Sequence, residues 1–447
     1  MKVHMFVDEG LGHSSYLIDL GDGSGAVIDP PRFITAHHVV AEREGLTVVW
    51  TIDTHSHADY VTGSPSLARR GATFVAPAAS RLTTPHHGVT DGENIELVRR
   101  VRLTALATPG HTPDHYAYIL EHDGRPVALF SGGSLMVGTV GRTDLSGPDL
   151  VEPLAHEMFR SLRRFDDLPG DLTVYPTHGA GSFCSAASAS DRTSTLERER
   201  ATNALFSTGD EGEFVTHLVH SFGTFPTYFS RLPELNRFGP THYDSIPSLP
   251  SLLPEDLERH IVEGGVVVDA RPAASFSERH VPGAVSNALR DVFGSWLGWL
   301  IEPDRPIVFV LEPHQDRSDL VRQCLDVGHE QLAGELAGGI DAWTASGRAT
   351  STLPLVDANR ISRQIIDVRQ AHEFAAGHIP GARNVELALV HAADLPGMEM
   401  TVMCGHGERA MTAASLLARR GRRDVTVFDG GPDTWSNATQ RPLSTGP

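Results

Sequence analysis

Short apolar runs separated by turn residues fill the first part of the chain. Residues 4–7, 15–18 and 25–28 are apolar-rich, and Gly21-Asp22-Gly23-Ser24-Gly25 reads as a hairpin connection between the last two. An antiparallel meander is expected there. The apolar run 46–52 reads as a buried strand, with helical stretches at 39–44 and 64–70 and a further strand at 71–75. Strands are also expected at 103–107, 116–120, 127–130 and 172–175. Residues 196–206 read as one helix whose Glu197, Arg198, Glu199 and Arg200 form a solvated face. Pro226, Pro233, Pro240, Pro247 and Pro250 then crowd a short span, the composition of a linker or strapping segment.

Beyond that span the chain repeats itself. Val266-Val267-Val268-Asp269-Ala270-Arg271 matches Ile365-Ile366-Asp367-Val368-Arg369 at an offset of 98 (367 − 269). His280-Val281-Pro282-Gly283-Ala284 matches His378-Ile379-Pro380-Gly381-Ala382 at the same offset. Gly338-Gly339-Ile340-Asp341-Ala342-Trp343 matches Gly430-Gly431-Pro432-Asp433-Thr434-Trp435 at 92 (430 − 338), so the first copy carries a short insertion around 293–301. Each copy alternates apolar strands with helical stretches, which predicts a parallel α/β sheet. With 447 residues, two or three domains are expected. The boundaries read as 1–235, a Pro-rich linker 236–252, and repeats 253–350 and 358–447.

Composition narrows the function classes. A net charge of −19 argues against nucleic acid or an anionic membrane as the main partner. There is no uninterrupted apolar run of membrane-spanning length, and the N-terminal residues lack a long apolar signal core. Cys184, Cys324 and Cys404 are too few and too dispersed for a disulfide framework, so a reducing cytoplasm is the expected compartment.

The candidate chemistry sits at strand ends. The run 46–52 opens into Thr54-His55-Ser56-His57-Ala58-Asp59-Tyr60. In extended chain, His55 and His57 at i and i+2 point to the same side, which makes half of a metal site. The alternative is a histidine-rich polar loop in a chain with 24 histidines. Three further strand ends lead into Thr108-Pro109-Gly110-His111-Thr112, Phe130-Ser131-Gly132-Gly133 and Pro176-Thr177-His178-Gly179. Gly141-Arg142-Thr143-Asp144-Leu145 lies between the last two.

In this order the motifs resemble the metallo-β-lactamase fold over residues 1–235, and within it the persulfide dioxygenases, then the glyoxalase II thioesterases. The resemblance implies an αββα sandwich and a metal at the strand ends. Two positions depart from it. The last histidine of the usual H-x-H-x-D-H loop is Tyr60, and the usual aspartate of the F-x-G-D turn is Gly133. Persulfide dioxygenases hold one iron with two histidines and that aspartate, by position His55, His111 and Gly133. The hydrolases use the same aspartate to bridge two metals. What remains is one metal ion per chain on His55, His57 and His111 with an open fourth position. Fe(II) is favoured and zinc is the alternative. Asp59 is expected in proton transfer, with His178 and Tyr60 behind the ligands. Restoring the aspartate by Gly133→Asp is expected to tighten metal binding. Arg142 faces the substrate's anionic end by the resemblance, or else pairs with Asp144. Cys324 reads as a small core residue, and Cys184 as a buried or loop thiol with a reactive role left open.

The repeated D-x-R, H-[IV]-P-G-A and G-G-x-x-x-W motifs resemble rhodanese domains. In the second copy, Cys404-Gly405-His406-Gly407-Glu408-Arg409 is similar to the rhodanese active-site loop. Cys404 would be the nucleophile, Gly405 and Gly407 would let backbone N–H groups surround it, and Arg409 would close the loop. The first copy has Glu312 at the equivalent place and should be structural or a docking domain. Together these resemblances imply sulfane-sulfur metabolism. A low-molecular-weight persulfide of the glutathione type would be oxidised to sulfite at the metal, coupled to sulfur transfer through Cys404. The alternatives are a mononuclear zinc thioester hydrolase, or a metal-free scaffold presenting a sulfur-carrying rhodanese. The expected partner is a small thiol or persulfide, with no nucleic acid or membrane, and homo-oligomer formation is left open.

Overall fold

Alternation along the first strands decides how the front of the molecule packs. The computed structural model describes residues 1–185, 191–395 and 397–446. The meander forms as β1 (Lys2–Asp8), β2 (His13–Asp19) and β3 (Ser24–Ile28), paired antiparallel in sequence. It continues in parallel into β4 (Thr47–Ile52), β5 (Thr73–Pro77) and β6 (His87–Val89). In β2, Tyr16 and Ile18 face one cluster while Leu17 between them faces another. That is the period-2 geometry of a sheet covered on both faces.

A second six-stranded sheet packs on the Tyr16 face. It consists of β7 (Asn94–Val98), β8 (Val101–Ala107), β9 (Tyr116–His122) and β10 (Arg125–Gly132). After a two-stranded excursion, β11 (Leu135–Met136) and β12 (Thr139–Val140), it adds β13 (Thr173–Pro176) and β14 (Ser194–Thr195). Ile28, Ile52 and Val75 of the first sheet meet Leu103, Tyr118 and Phe130 of the second in one cluster. Outside the second sheet, Ile119, Leu129 and Val174 pack on Ala155, Met158 and Leu162 of the helix Val151–Arg163 and on Phe214 of the helix Glu211–His220. Outside the first, Leu17 and Val27 pack on Ala41 and Leu67 of the helices Thr35–Glu44 and Ser64–Arg69. The layers are α, β, β, α, as the resemblance implied.

The expected single helix over 196–206 is two, Leu196–Thr202 and Ala204–Ser207. The break is Asn203, whose buried side chain accepts from Phe206 N and donates to Thr139 O. A side chain that caps a new helix while tying down β12 competes directly with continuing the old one.

The described residues divide into two units, 1–246 with 324–328, and 247–323 with 329–447. The second contains the repeat as two parallel sheets. One is built from Ser251–Leu252, Val266–Asp269, Val285–Ser286, Ile307–Val310 and Leu332–Leu336. The other is built from Leu355–Val356, Gln364–Asp367, Arg383–Asn384, Met400–Met403 and Val425–Phe428. Both have the strand order first, fifth, fourth, second, third. The repeated motifs have repeated jobs. Asp269 and Asp367 are buried at strand ends and clamp Arg271 and Arg369, whose guanidiniums also donate to the carbonyls of Arg279 and Gly377. His280 and His378 each bond the carbonyl and stack on the ring of a phenylalanine four residues earlier, Phe276 and Phe374.

One buried histidine away from the strand ends gives this unit-1 fold a pH dependence. His37 is hydrogen-bonded to Ser15 Oγ at 2.8 Å and stacked on Phe6, and burial pushes its pKa down to about 3. The unfolded chain binds a proton there below about pH 6.5 and the folded chain does not, so stability falls as pH drops from 6.5 towards 3. Urea unfolding across that range should show His37→Gln reducing the slope by about 1.4 kcal/mol per pH unit. An unchanged slope would mean His37 is not a buried neutral group.

Candidate metal centre and sulfur-carrying loop

Three strand ends bring four histidines together. His55 and His57 follow β4, His111 follows β8, and His178 follows β13; all four are at most 2% exposed. Ring centroids are 4.3 Å apart for His55 and His57, 5.0 Å for His55 and His111, and 5.2 Å for His111 and His178. One donor atom each of His55, His57 and His178 lies within 4.8 Å of the others, and the same holds for His111, His178 and Cys184. The expected trio His55, His57 and His111 shares one cluster with two more donors. His178, expected behind the ligands, is common to both trios.

Each imidazole is oriented by the partner on its far nitrogen. Thr54 Oγ1 donates to Asp29 Oδ2, so it accepts from His55 Nδ1 at 2.8 Å and leaves His55 Nε2 bare. His111 Nδ1 donates to the carbonyl of Arg142 at 2.8 Å, which leaves its Nε2 bare. His57 Nε2 donates to Asp29 Oδ1 at 3.1 Å, and its buried Nδ1 has no hydrogen-bond partner. His178 Nδ1 lies 3.2 Å from Asp59 Oδ2, while its Nε2 faces His55 Nε2 at 3.4 Å. Imidazoles held by outer acceptors, with the opposite nitrogens converging, are how proteins prepare a metal site. The residues present fit a metal ion.

Charge supports the same reading. Burial, and then neighbouring imidazoles, hold His55 well below its usual pKa and His111 down to about 3, so both are neutral imidazoles at pH 7. Burial alone would raise the Asp29 carboxyl, but His57 and hydrogen bonds from His57, Thr177 and Thr54 bring it down to about 2. Burial alone would lower His57, but Asp29 raises it. A metal at His57 Nδ1 therefore competes with protonation more than one at His55 or His111 does.

Asp59 was expected in proton transfer. Burial opposes its ionised form, yet His178 holds it well below the ordinary carboxylate range. A carboxylate that weakly basic is better suited to orienting His178 than to abstracting protons near pH 7. Tyr60 lies flat beside His57 and His13, with ring centroids 4.5 and 3.9 Å away, and its hydroxyl reaches Asp29 O at 3.3 Å. Arg142 takes the second of its two expected places. It is 2% exposed, donates to both oxygens of Asp144, and also donates to the carbonyls of Phe183 and Gly223. Its cation is spent on holding loops together.

Three residues near the centre went unread in the sequence. Asp29 gathers Thr54, His57 and Thr177 on its carboxylate. His13 bonds Asp29 O at 3.0 Å. His115 uses both ring nitrogens, donating to Thr108 Oγ1 and accepting from Gly133 N at 2.8 Å, and so fixes the Gly132-Gly133 turn without offering a metal ligand. The second histidine of His111-Thr112-Pro113-Asp114-His115 was the available signal.

In the second unit, Cys404 follows the strand Met400–Met403 and precedes the helix Glu408–Arg419. It is 1% exposed, and Gly407 N donates to its Sγ at 3.1 Å. Gly407 has φ 103°, a left-handed conformation that favours glycine and turns the loop back on the sulfur. A Cβ at Gly431 would lie 2.1 Å from Gly405 O, so the G-G-x-x-x-W glycine lets the two loops touch. Arg409 is not a bare cation: it makes a two-pronged ion pair with Glu373 at 2.6 and 2.8 Å. In the first copy, Arg317 donates to the carbonyls of Glu312 and Gln315 and pairs with Glu335, closing a loop that has no thiol. That copy also brings Arg290, an exposed cation, within electrostatic reach of Glu408 and Arg409.

Gly133 overturns one expectation. A Cβ there would sit 2.3 Å from His111 Cδ2 and 2.9 Å from His111 Nε2, because the imidazole fills the space a side chain needs. Gly133→Asp should displace His111 and weaken metal binding at least tenfold, and Gly133→Ala should do the same from Cβ alone. Metal titration of both variants checks this. Tighter binding by Gly133→Asp would show that the aspartate can still ligate and that His111 is not locked in place.

The comparisons with known proteins agree with this geometry. The rhodanese-like domain model matches residues 253–346 and 354–438. The hydroxyacylglutathione hydrolase of Xanthomonas oryzae pv. oryzae is 33% identical over 159 residues, 35% of this chain and 57% of that protein. The chain thus spans little more than half the length of that relative. The human mitochondrial persulfide dioxygenase ETHE1 is 30% identical over 206 residues, 45% of this chain and 74% of that protein. A metallo-beta-lactamase from Staphylococcus aureus subsp. aureus COL superposes with a TM-score of 0.67 at 28% identity, covering 75% of this chain and 99% of that one. The chain belongs to the metallo-β-lactamase-fold family that includes persulfide dioxygenases and hydroxyacylglutathione hydrolases, joined here to two rhodanese-like domains.

Proposed function

We propose that the chain works in sulfane-sulfur metabolism, with the front unit oxidising a low-molecular-weight persulfide of the glutathione type to sulfite and Cys404 moving sulfane sulfur. The observation that carries this reading is that one chain holds both a converging imidazole cluster and a cysteine with a backbone N–H on its sulfur. His55, His57 and His111 would hold one metal ion, with Fe(II) favoured, and His178 at its edge. When bound, such an ion would bring persulfide and dioxygen together, for the overall conversion of persulfide, O₂ and water into thiol and sulfite. The chain's own residues aim the imidazoles, through Thr54, Asp29 and the Arg142 carbonyl, while burial keeps His55 and His111 neutral and limits water.

At Cys404 the chemistry is nucleophilic. The thiolate attacks the outer sulfur of thiosulfate, a new S–S bond forms to Cys404, the old S–S bond breaks, and sulfite leaves with its electron pair. Gly407 N–H stabilises the charge on the Cys404 sulfur, and the buried helix start behind it adds to that field. The inactive copy supports this site, since Ser286 N bonds Ser415 Oγ and Arg419 bonds Gly283 O across the two copies.

The second reading is a mononuclear zinc thioester hydrolase. It is favoured by the lost carboxylate position at Gly133 and by hydrolases among the relatives. Among the described residues no helix is long and apolar enough to cross a membrane, and the substrates are read as small thiols and persulfides.

Intact mass after incubation with thiosulfate should show one added sulfur that cyanide removes. Cys404→Ser should abolish it, and Cys324→Ser should not. Iron-loaded protein given glutathione persulfide should consume O₂ and release sulfite. Acyl-glutathione hydrolysis without O₂ uptake would favour the zinc reading, and labelling that survives Cys404→Ser would misplace the sulfur-carrying site.

A further inference from the structure

We infer that Cys184 is a metal ligand, supplying as a thiolate the negative charge that Gly133 no longer brings. This rests on the reading that the front unit binds a metal. A centre of neutral imidazoles alone would hold a dication in a buried pocket with no anion bound to it, which is costly. The place an aspartate at 133 would need is filled by the His111 ring. The replacement anion therefore has to come from elsewhere on the rim.

Cys184 is where such an anion is needed. One donor atom each of His111, His178 and Cys184 lies within 4.8 Å of the others, and the three are 1%, 0% and 0% exposed. A single residue positions two of them. The Arg142 carbonyl takes His111 Nδ1–H, and Arg142 N donates to Cys184 O at 3.0 Å. The Arg142 guanidinium holds the carbonyl of Phe183 next door, and Gly141 bridges to Ser185. Loop 182–185 is pinned further by Cys184 N on Ser182 Oγ.

A second observation points into the same space. Asp59 is 1% exposed and close enough to act on Cys184, yet neither carboxylate oxygen has a hydrogen-bond partner with good geometry; His178 Nδ1 lies 3.2 Å from its Oδ2. With His178 as a ligand through its other nitrogen, Asp59 becomes the outer carboxylate that orients it.

Cys184 would add one soft, anionic donor to the imidazoles already assigned to the metal. Sulfur in the set selects Zn(II), Fe(II) or Co(II) and rejects Mg(II), Ca(II) and Mn(II). Binding forms the metal–sulfur bond and releases the thiol proton to solvent, with no change of oxidation state.

Cobalt(II) is the probe, titrated into metal-free full-length protein carrying Cys404→Ser, so that the rhodanese thiol is silent. The expected spectrum has visible ligand-field bands and an intense near-ultraviolet thiolate-to-cobalt charge-transfer band. Adding Cys184→Ser should remove the charge-transfer band, keep the ligand-field bands and weaken cobalt binding at least tenfold, while Cys324→Ser should change nothing. Should Cys184→Ser fail to fold, X-ray absorption of the cobalt-loaded Cys404→Ser protein decides the point, a sulfur shell being expected. Ligand-field bands without charge transfer, or no sulfur shell, would overturn the Cys184 assignment and leave the metal reading standing. Failure to bind cobalt at all would overturn both.

Discussion

The front unit depends on Asp29. It follows β3 directly with φ 49°, a left-handed conformation that aspartate tolerates better than most residues. That twist lets one residue face two ways. Its carboxylate accepts from Thr54 N, Thr54 Oγ1, Thr177 Oγ1 and His57 Nε2, and its carbonyl meets His13 and Tyr60. The ends of β3, β4 and β13 are thereby tied at one point, and the tautomers of His55 and His57 are settled before any metal arrives. A fully buried carboxylate with this many donors is expensive to leave unpaired, so the network holds together or fails together.

The consequences run outward from there. Fixing Thr54 fixes His55, and the Gly132-Gly133 turn held by His115 brings the His111 ring flat against glycine. Losing the side chain at 133 is therefore not only a missing ligand. It is the condition for His111 to sit where it does, next to His178 and Cys184. The second unit uses a related economy, in which one buried Asp–Arg pair per copy organises a strand end in each sheet.

Much of the architecture was legible in the sequence because it rests on spacing. The apolar runs at 15–18 and 25–28 reported the antiparallel meander, and the D-x-R and H-x-P-G-A repeats reported two copies of one fold, because the same pair and the same stacked histidine recur in both. The loop histidines were legible for the same reason. Asp29 was not, since one aspartate at a strand end among 56 acidic residues has no partner in sequence. The break at Asn203 was hidden by a good helical pattern on both sides, and only the contact with β12 decides it. Cys184 read as an ordinary loop thiol because its neighbours, His111 and Asp59, are far away along the chain. Gly133 read as a simple deletion of a carboxylate, because a sequence does not show which ring moves into the space.

The central claim is that the front unit binds one metal through its converging histidines. Elemental analysis of the full-length protein, expressed with iron and zinc supplied and then desalted, tests it most directly. The account predicts about one metal ion per chain, lost when His111 is changed to alanine. Two metals per chain, or none, would contradict it.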